Sequence, residues 1–499
     1  MNKAILRISL ACLAMFVLLL LNINYVQAFD TNALASDPLN GRTFNEQFTY
    51  QRGSILANGD GTDLKIAYSK LEDRQYHRVY PDGPEYAPIT GFYSIYGPTG
   101  GIEEAENKEL NGTDPRLALH NFTSLLTGKQ KQGASVTLTI SPTAQNAAYQ
   151  ALLGDGGHQA AAVALNPQTG AILAMASTPS FNPNQLTTFD GTKLNKVDEQ
   201  LLKDPSQPLL NRAVTPNYPP GSSFKIVTSS AAYTRGLLKN GPSTTIPAPT
   251  VLTLPNGNQL HNDGDEPCAN GNPPVIEAFY LSCNTAFAKL GIRLTGSVLR
   301  NQAELFGVNK TFNIPFSVTP GSYPQGQYWS NGQEDPSAAA LSAIGQFNDA
   351  VSPLQEAMFS AAIENGGRLM QPYMLQQVLA PGLQPIETTS PSQFSQPVSS
   401  QVASNVKAMM EQVTQNPNGT AYQTAGPPAV GSLVIYGKTG TAENGTSNYN
   451  PDDAVFTCFV PASEGSPIAV AVIVKGGGFG AAAAAPIAVQ IIKAYEAHS

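Results

Sequence analysis

The stretch Tyr218-Pro219-Pro220-Gly221-Ser222-Ser223-Phe224-Lys225 decides how the rest of this chain is read. Two prolines hold an extended approach and a glycine allows a turn. From Ser222 the pattern is helical, with Phe224, Val227 and Ala231 on a buried side and Gly236 as a stop. Ser222, Lys225 and Ser229 share another face, so a hydroxyl and an amine stand one helical turn apart. A serine is a poor nucleophile until a base takes its proton, and lysine is a base only when neutral. That requires burial or a neighbouring positive charge. A helix start beneath Ser222 also offers backbone N–H groups to a developing oxyanion. The blander alternative is a helix that begins with serine and carries an exposed lysine.

Two later segments change that balance. Ser282-Cys283-Asn284 lies between helical runs at Val275 to Leu281 and Thr285 to Leu290. There Ser282 can relay a proton between Lys225 and a leaving amine, while Asn284 can bond both the lysine and a substrate amide. An N-cap for the second helix is the competing explanation. Lys438-Thr439-Gly440-Thr441 follows an apolar strand, and alternation puts Lys438 and Gly440 on one face and Thr439 and Thr441 on the other. Lys438 is the candidate charge that lowers the pKa of Lys225, and Gly440 permits close approach of a substrate backbone. Lys438 and Thr439 suit a substrate carboxylate, and the Thr441 N–H is a candidate oxyanion donor. The competing reading is a strand end with a solvated lysine. Each segment is weak alone; all three in this order point to serine acyl transfer activated by lysine.

The surrounding pattern predicts a mixed fold, α+β or α/β, in three parts: residues 1–29, 30–132 and 133–499. Residues 30–132 read as a turn-rich, non-catalytic pedestal. Near Gly133 the composition changes: Val136 to Ile140 alternates as a strand, Pro142 opens a helix through Ala151, and Ala160 to Ala176 reads as a hairpin. Strands return at 433–440, 454–460 and 468–474, and a helix from Pro486 to Ala497 closes the chain. Strands at both ends of a helical middle predict a central antiparallel sheet that gathers distant segments, with a helical subdomain. Ala380 to Ser400, rich in Pro, Ser, Thr and Gln, reads as a surface excursion. His77, His120 and His158 are scattered, and nothing in their spacing suggests a metal site.

Composition narrows the function classes. Of 499 residues 41% are apolar and 13% charged, and the net charge is −8. With no basic cluster, nucleic acid is an unsuitable partner. Phosphate-loop and zinc motifs are absent from the sequence. Lys3 and Arg7 precede an uncharged run from Ile8 to Ala28, long enough for a signal anchor. Val26-Gln27-Ala28 leaves a cleaved leader as the alternative. In either case the positive-inside rule puts the working part outside the cytoplasm. Cys12 and Cys458 lie in apolar runs. Cys268 and Cys283, 15 residues apart, are either a disulfide or two free buried thiols.

At these residues the chain resembles the monofunctional class B penicillin-binding proteins, the transpeptidases of bacterial cell-wall synthesis. Arg52-Gly53-Ser54-Ile55 resembles the R-G-x-I segment of their pedestal, and Leu210-Asn211-Arg212-Ala213 resembles the approach to their nucleophile. Ala343-Ile344-Gly345-Gln346, Ser352-Pro353-Leu354-Gln355 and Asn365-Gly366-Gly367 are similar to the family's region before the third motif. Arg78-Val79-Tyr80-Pro81, Thr90 to Ser94, and Cys268 with Cys283 give a particular likeness to the actinobacterial branch. The resemblance spans essentially the whole chain.

It implies a single-pass cell-membrane protein with an anchor, a pedestal and an extracytoplasmic transpeptidase domain, acting without a cofactor on peptidoglycan stem peptides. Ser222 would be the acylated nucleophile, attacked by β-lactams as mimics of a D-Ala-D-Ala end, and Lys225 its base. Ser282 and Asn284 would relay protons and contact substrate; Lys438, Thr439 and Thr441 would hold the carboxylate and oxyanion. Where the family often has an aromatic–aromatic–x–Gly strand, this chain has Val455-Phe456-Thr457-Cys458, a difference in packing more than in chemistry. No E-D-x-x-F-x-x-H-x-G segment occurs, so the resemblance implies a separate membrane glycan polymerase as partner, with division or elongation proteins. The rival expectations are a β-lactamase or D,D-carboxypeptidase, which passes the acyl group to water, and a catalytically idle β-lactam-binding scaffold.

Overall fold

The computed structural model describes residues 3–26, 47–117, 130–215, 218–263, 267–324, 332–443 and 451–498. His120, the segment around Ala28 and the boundary at residues 29 and 30 lie outside these residues. Helix α1 is Lys3–Tyr25, and its apolar Ile5–Tyr25 portion is exposed and long enough to cross a bilayer.

After α1 come strands β1 (Ile55–Ala57), β2 (Leu64–Glu72), β3 (Gln75–Val79) and β4 (Ser135–Leu138). Helix α2 (Pro142–Leu153) follows, started by Ser141, whose hydroxyl accepts from the Ala144 N–H at 3.0 Å with Pro142 in the first turn. Strands β5 (Ala160–Leu165) and β6 (Ile172–Thr178) form the expected hairpin. The helical middle contains α3 (Lys225–Thr234), α4 (Val275–Tyr280), α5 (Asn284–Leu294) and α6 (Pro353–Glu364). Helix α6 is fixed at its start by a Ser352/Gln355 capping box. Strands β7 (Leu375–Leu379) and β8 (Pro385–Thr388) precede α7 (Ser400–Gln415). Strands β9 (Tyr436–Ala442), β10 (Asp453–Val460) and β11 (Ile468–Val474) lead to the closing helix α8 (Gly480–Glu496).

Two sheets organise these elements. A five-stranded antiparallel sheet runs β9-β10-β11-β5-β6. Every residue of β5, β10 and β11 is buried, because α2 and α8 cover one face and α6 the other. Covering both faces explains why these strands read as continuous apolar runs and not as alternation. Strand β9 ends the sheet, so among the described residues its outer edge pairs with no other strand and lies beside the turn of Ser222. The second sheet runs β8-β7-β4-β1-β2-β3. It draws strands from both sides of residue 132, since β7 pairs antiparallel with β4, which pairs parallel with β1.

Three expectations change. Residues 380–400 are mostly exposed, as expected for an excursion, yet they contain β8 and a further strand, Gln393–Ser395, paired to Leu369–Met370. Helix α8 starts at Gly480, six residues before Pro486, because the alanine run at 481–485 is itself strongly helical. Helix α3 has no solvated face at all: Lys225 to Tyr233 are buried throughout. The exposed lysine of the blander reading is thus ruled out, and Thr228 Oγ1 likewise donates to the Ala343 carbonyl at 2.7 Å inside the fold.

Candidate active site

Ser222 sits in a single 3₁₀ turn, Gly221–Phe224, that runs directly into α3. The turn is tight because Gly221 adopts φ +55°, and a Cβ there would stand 2.6 Å from the Thr441 carbonyl oxygen. The same Cβ would be 3.2 Å from the Thr441 backbone nitrogen, so the edge of β9 lies against the turn of Ser222. On the other side the Gly221 N–H donates to the Gly345 carbonyl at 2.9 Å. Gly440 faces this turn as well, and a Cβ on it would meet the Pro220 carbonyl at 2.7 Å and Val455 Cβ at 2.9 Å. The glycine is therefore demanded by the protein's own packing.

Lys225 and Lys438 are fully buried and meet around one hydroxyl. Lys225 Nζ lies 2.8 Å from Ser222 Oγ, 2.7 Å from the Ser282 carbonyl oxygen, 3.2 Å from Ser282 Oγ and 2.8 Å from Asn284 Oδ1. Lys438 Nζ reaches the same Ser282 Oγ at 2.9 Å and the Thr439 carbonyl at 2.9 Å. Ser282 is held for this by a left-handed backbone, φ +62°, costly for a residue with a Cβ and characteristic of functional sites. Neither Ser282 nor Asn284 caps α5. Cys283 stands at the N-cap without a side-chain bond, and the Thr285 N–H is satisfied by Asn262 Oδ1 at 3.0 Å. That arrangement leaves Ser282 and Asn284 free to face the lysines.

Burial is the main reason both amines lose their protons easily. It pushes Lys225 well below the ordinary lysine range, the nearby Lys438 ammonium pushes further in the same direction, and the Asp263 carboxylate opposes both. Lys438 is lowered to about 7 by burial, again against Asp263. The free-amine form of Lys225 is thereby favoured. Its two N–H bonds then donate to the Ser282 carbonyl and Asn284 Oδ1, and its lone pair accepts the Ser222 hydroxyl proton.

These groups open onto a cleft of about 960 Å³ lined by Ser222, Ser282, Asn284, Thr439, Thr441 and Asp263. Thr439 and Thr441 face the cleft, while on the other face Gly440 meets the turn of Ser222 and Lys438 reaches Ser282, in the alternation the sequence predicts. All eight motif residues therefore come together. Sequence reasoning missed three neighbours. Asp263 Oδ1 accepts from Asn284 Nδ2 at 3.3 Å, and Thr420 Oγ1 lies 2.8 Å from Thr439 Oγ1. Gln346 Nε2 donates to the Thr441 carbonyl at 3.2 Å. Gln346 had a signal, the Ala343-Ile344-Gly345-Gln346 segment; Asp263 and Thr420 had none. Cys268 and Cys283 are placed as a disulfide with Cα atoms 5.9 Å apart, next to Ser282.

Residues 160–493 match the penicillin binding protein transpeptidase domain, and residues 52–136 the penicillin binding protein A dimerisation domain. The chain belongs to the penicillin-binding protein transpeptidase family. The peptidoglycan D,D-transpeptidase PbpA of Mycolicibacterium smegmatis is 38% identical, over 98% of this chain and 97% of that one. Its namesake from Mycobacterium tuberculosis is 37% identical, covering 99% of each. Penicillin-binding protein A from M. tuberculosis, solved as acyl-enzyme complexes with ceftriaxone and with imipenem, superposes with TM-score 0.82 at 36% identity. That likeness covers 90% of this penicillin-binding protein and 99% of the solved chain. A mixed α/β penicillin-binding transpeptidase with an N-terminal apolar helix is therefore what the sequence and the comparisons jointly give.

Proposed function

We propose that this protein crosslinks peptidoglycan stem peptides as a D,D-transpeptidase, through an ester on Ser222. The observation that carries this reading is the 2.8 Å contact between Ser222 Oγ and a fully buried Lys225 amine. Ser222 attacks the carbonyl of the penultimate D-alanine while Lys225 takes its proton. The backbone N–H groups of Ser222 and Thr441 receive the oxyanion, and such a donor is worth about 10²–10³ in rate. Lys438, with Ser282 between it and Lys225, returns a proton to the departing D-alanine amine. Asn284 aligns the donor amide, and Thr439 and Thr441 with Lys438 attract its carboxylate. An acceptor amine on a neighbouring stem then attacks the ester carbonyl; the new amide forms as the bond to Ser222 Oγ breaks, and the proton lost by the amine is returned through Ser282 and the lysines to Ser222 Oγ. A β-lactam opens its ring amide onto the same oxygen; its amine stays tethered and blocks the acceptor.

Lys3 and Arg7, at the start of α1 and ahead of its uncharged run, support a cytoplasmic N-terminus and an extracytoplasmic catalytic domain. A transpeptidase of this kind works on glycan made by a separate membrane polymerase. The test is to label the protein with fluorescent penicillin, chase, and then supply a stem peptide with and without an acceptor amine. Stable labelling lost in Ser222→Ala, with an amine-dependent crosslinked product, is expected. Rapid drug turnover or release of free acid alone would assign the acyl group to water, and no labelling would make the site a scaffold.

A further inference from the structure

Beside the nucleophile lies a buried polar assembly that the reaction above does not use. Ser223 Oγ is 2.7 Å from the Pro220 carbonyl oxygen and 2.7 Å from Glu356 Oε1, and both side chains are fully buried. A serine hydroxyl has one proton to give, and a carbonyl has none. Two oxygen–oxygen contacts at hydrogen-bond length need two protons, so the second comes from the carboxyl group. We propose that Glu356 is a neutral carboxylic acid and a positioning residue: its Oε1–H donates to Ser223 Oγ, whose O–H donates to the Pro220 carbonyl. This clamp fixes the turn that holds Ser222.

The setting of Glu356 supports a neutral acid. Its Oε2 has no partner among the described residues, a cost far smaller for the carbonyl oxygen of an acid than for half of a buried carboxylate. Burial pushes its pKa up to about 8, against the Ser223 contact. Of the elements packed on α6, β5 and β11 carry no titratable residue and β10 carries Asp453 and Cys458. Helix α3 carries Lys225 and Tyr233, and α7 carries Lys407 and Glu411; none of these bonds the Glu356 carboxyl. The main chain of Glu356 is tied to the sheet as well. Its carbonyl accepts from Thr457 Oγ1 at 2.7 Å, and Thr457 is the cross-strand partner of Lys438. One residue of α6 therefore sets the spacing between the turn of Ser222 and the strand of Lys438.

The functional part of this inference rests on acylation at Ser222; the proton on Glu356 does not. The experiment compares the full chain with Glu356→Gln, Glu356→Ala and Ser223→Ala, each checked for folding by thermal midpoint. Acylation by fluorescent penicillin is measured from pH 6 to 10. Glu356→Ala and Ser223→Ala are expected to slow acylation at pH 7 by up to about 100-fold, the scale of a small misplacement of reacting atoms. Glu356→Gln, whose amide still donates, recovers most of that rate. It also keeps its rate above pH 8, where the native protein declines as Glu356 ionises; the limb near pH 7 from Lys438 is common to both. Native rates in Glu356→Ala, or the same alkaline decline in Glu356→Gln, overturn the positioning role. Independently, the infrared difference between native protein and Glu356→Gln at pH 6.5 is expected to contain the C=O stretch of a neutral acid. Carboxylate bands in its place overturn the proton assignment, and a native protein that takes no penicillin defeats the proposed function while leaving this spectrum readable.

Discussion

Lys438 Nζ stands 2.9 Å from Ser282 Oγ, although 156 residues separate them in the chain. Ser282 Oγ in turn lies 3.2 Å from Lys225 Nζ, so one hydroxyl joins two buried amines. The two cannot both be charged at low cost, because like charges in a dry site oppose each other's ionisation. Which lysine gives way is decided by burial and by Lys438 itself, and it is Lys225.

Protonation of Lys438 has a cost in stability with a definite sign. In the unfolded chain a lysine keeps its proton up to about pH 10.4, whereas folded Lys438 keeps it only up to about 7. Between those limits the unfolded state binds more protons, so this residue's contribution to stability rises with pH, and below pH 7 the full penalty applies. Lys438→Met removes that dependence. The stability of the variant relative to the native protein is expected to be greatest at pH 6 and to shrink toward pH 10, by about 1.4 kcal/mol for each pKa unit of the shift. Denaturant melts at four pH values check it. Lost hydrogen bonds to Ser282 and Thr439 change the offset but not the slope, so parallel curves would sink the idea.

The proposed mechanism requires Asn284 to stay neutral if Lys225 is to act as a base. Its Oδ1 is 2.8 Å from Lys225 Nζ, so Asn284→Asp puts a carboxylate against the amine in nearly the same space. An opposite charge at that distance raises a lysine pKa by roughly 1–3 units. Acylation at pH 7 is then expected to fall, by up to about tenfold per unit, and to recover as pH rises. A loss that is the same at every pH would show that Asn284 matters through contact with substrate alone.

Much of this site was legible because its chemistry is local. The Ser222/Lys225 spacing follows from helix geometry, and the alternation that turns Thr439 and Thr441 to the cleft follows from strand geometry. What escaped depends on distant pairing. Nothing in Asp263 or Thr420 marks them as neighbours of Asn284 and Thr439, since one contact needs the loop at Asp263 brought to α5 and the other needs the loop after α7 brought to β9. The addition of β7 and β8 to the N-terminal sheet is equally silent, because periodicity shows that a strand exists and not which edge it joins. The left-handed backbone of Ser282 is a local conflict that the tertiary structure imposes, and such conflicts gather at functional sites.

Gly440 gives a test of how tightly strand and turn are packed. Its Cβ would lie 2.7 Å from the Pro220 carbonyl and 2.9 Å from Val455 Cβ, neither of which is a flexible side-chain end. Gly440→Ala is expected to destabilise by about 1–3 kcal/mol, as overpacking does, and to slow acylation by shifting β9 away from Ser222. Thermal melts alongside penicillin-labelling rates check both. Native values for the two would mean that the turn can retreat without cost.

The last prediction concerns the bridge beside the relay. Cys283 stands between Ser282 and Asn284, so the chain that presents both side chains to the lysines is tied to Cys268 across a sequence separation of 15 residues. Closing a loop of that length stabilises by about 3 kcal/mol when unstrained. Cys268→Ser is expected to lower the thermal midpoint and also the acylation rate, because the left-handed turn at Ser282 loses its anchor. Dithiothreitol should reproduce both effects in the native protein and add nothing to the variant. Peptide mapping without reduction provides the direct check: a linked Cys268–Cys283 pair is expected, with Cys458 recovered as a thiol buried in β10. Alkylation of both Cys268 and Cys283 in unreduced, denatured protein would remove the bridge from the account, and the position of Ser282 would then rest on α4 and α5 alone.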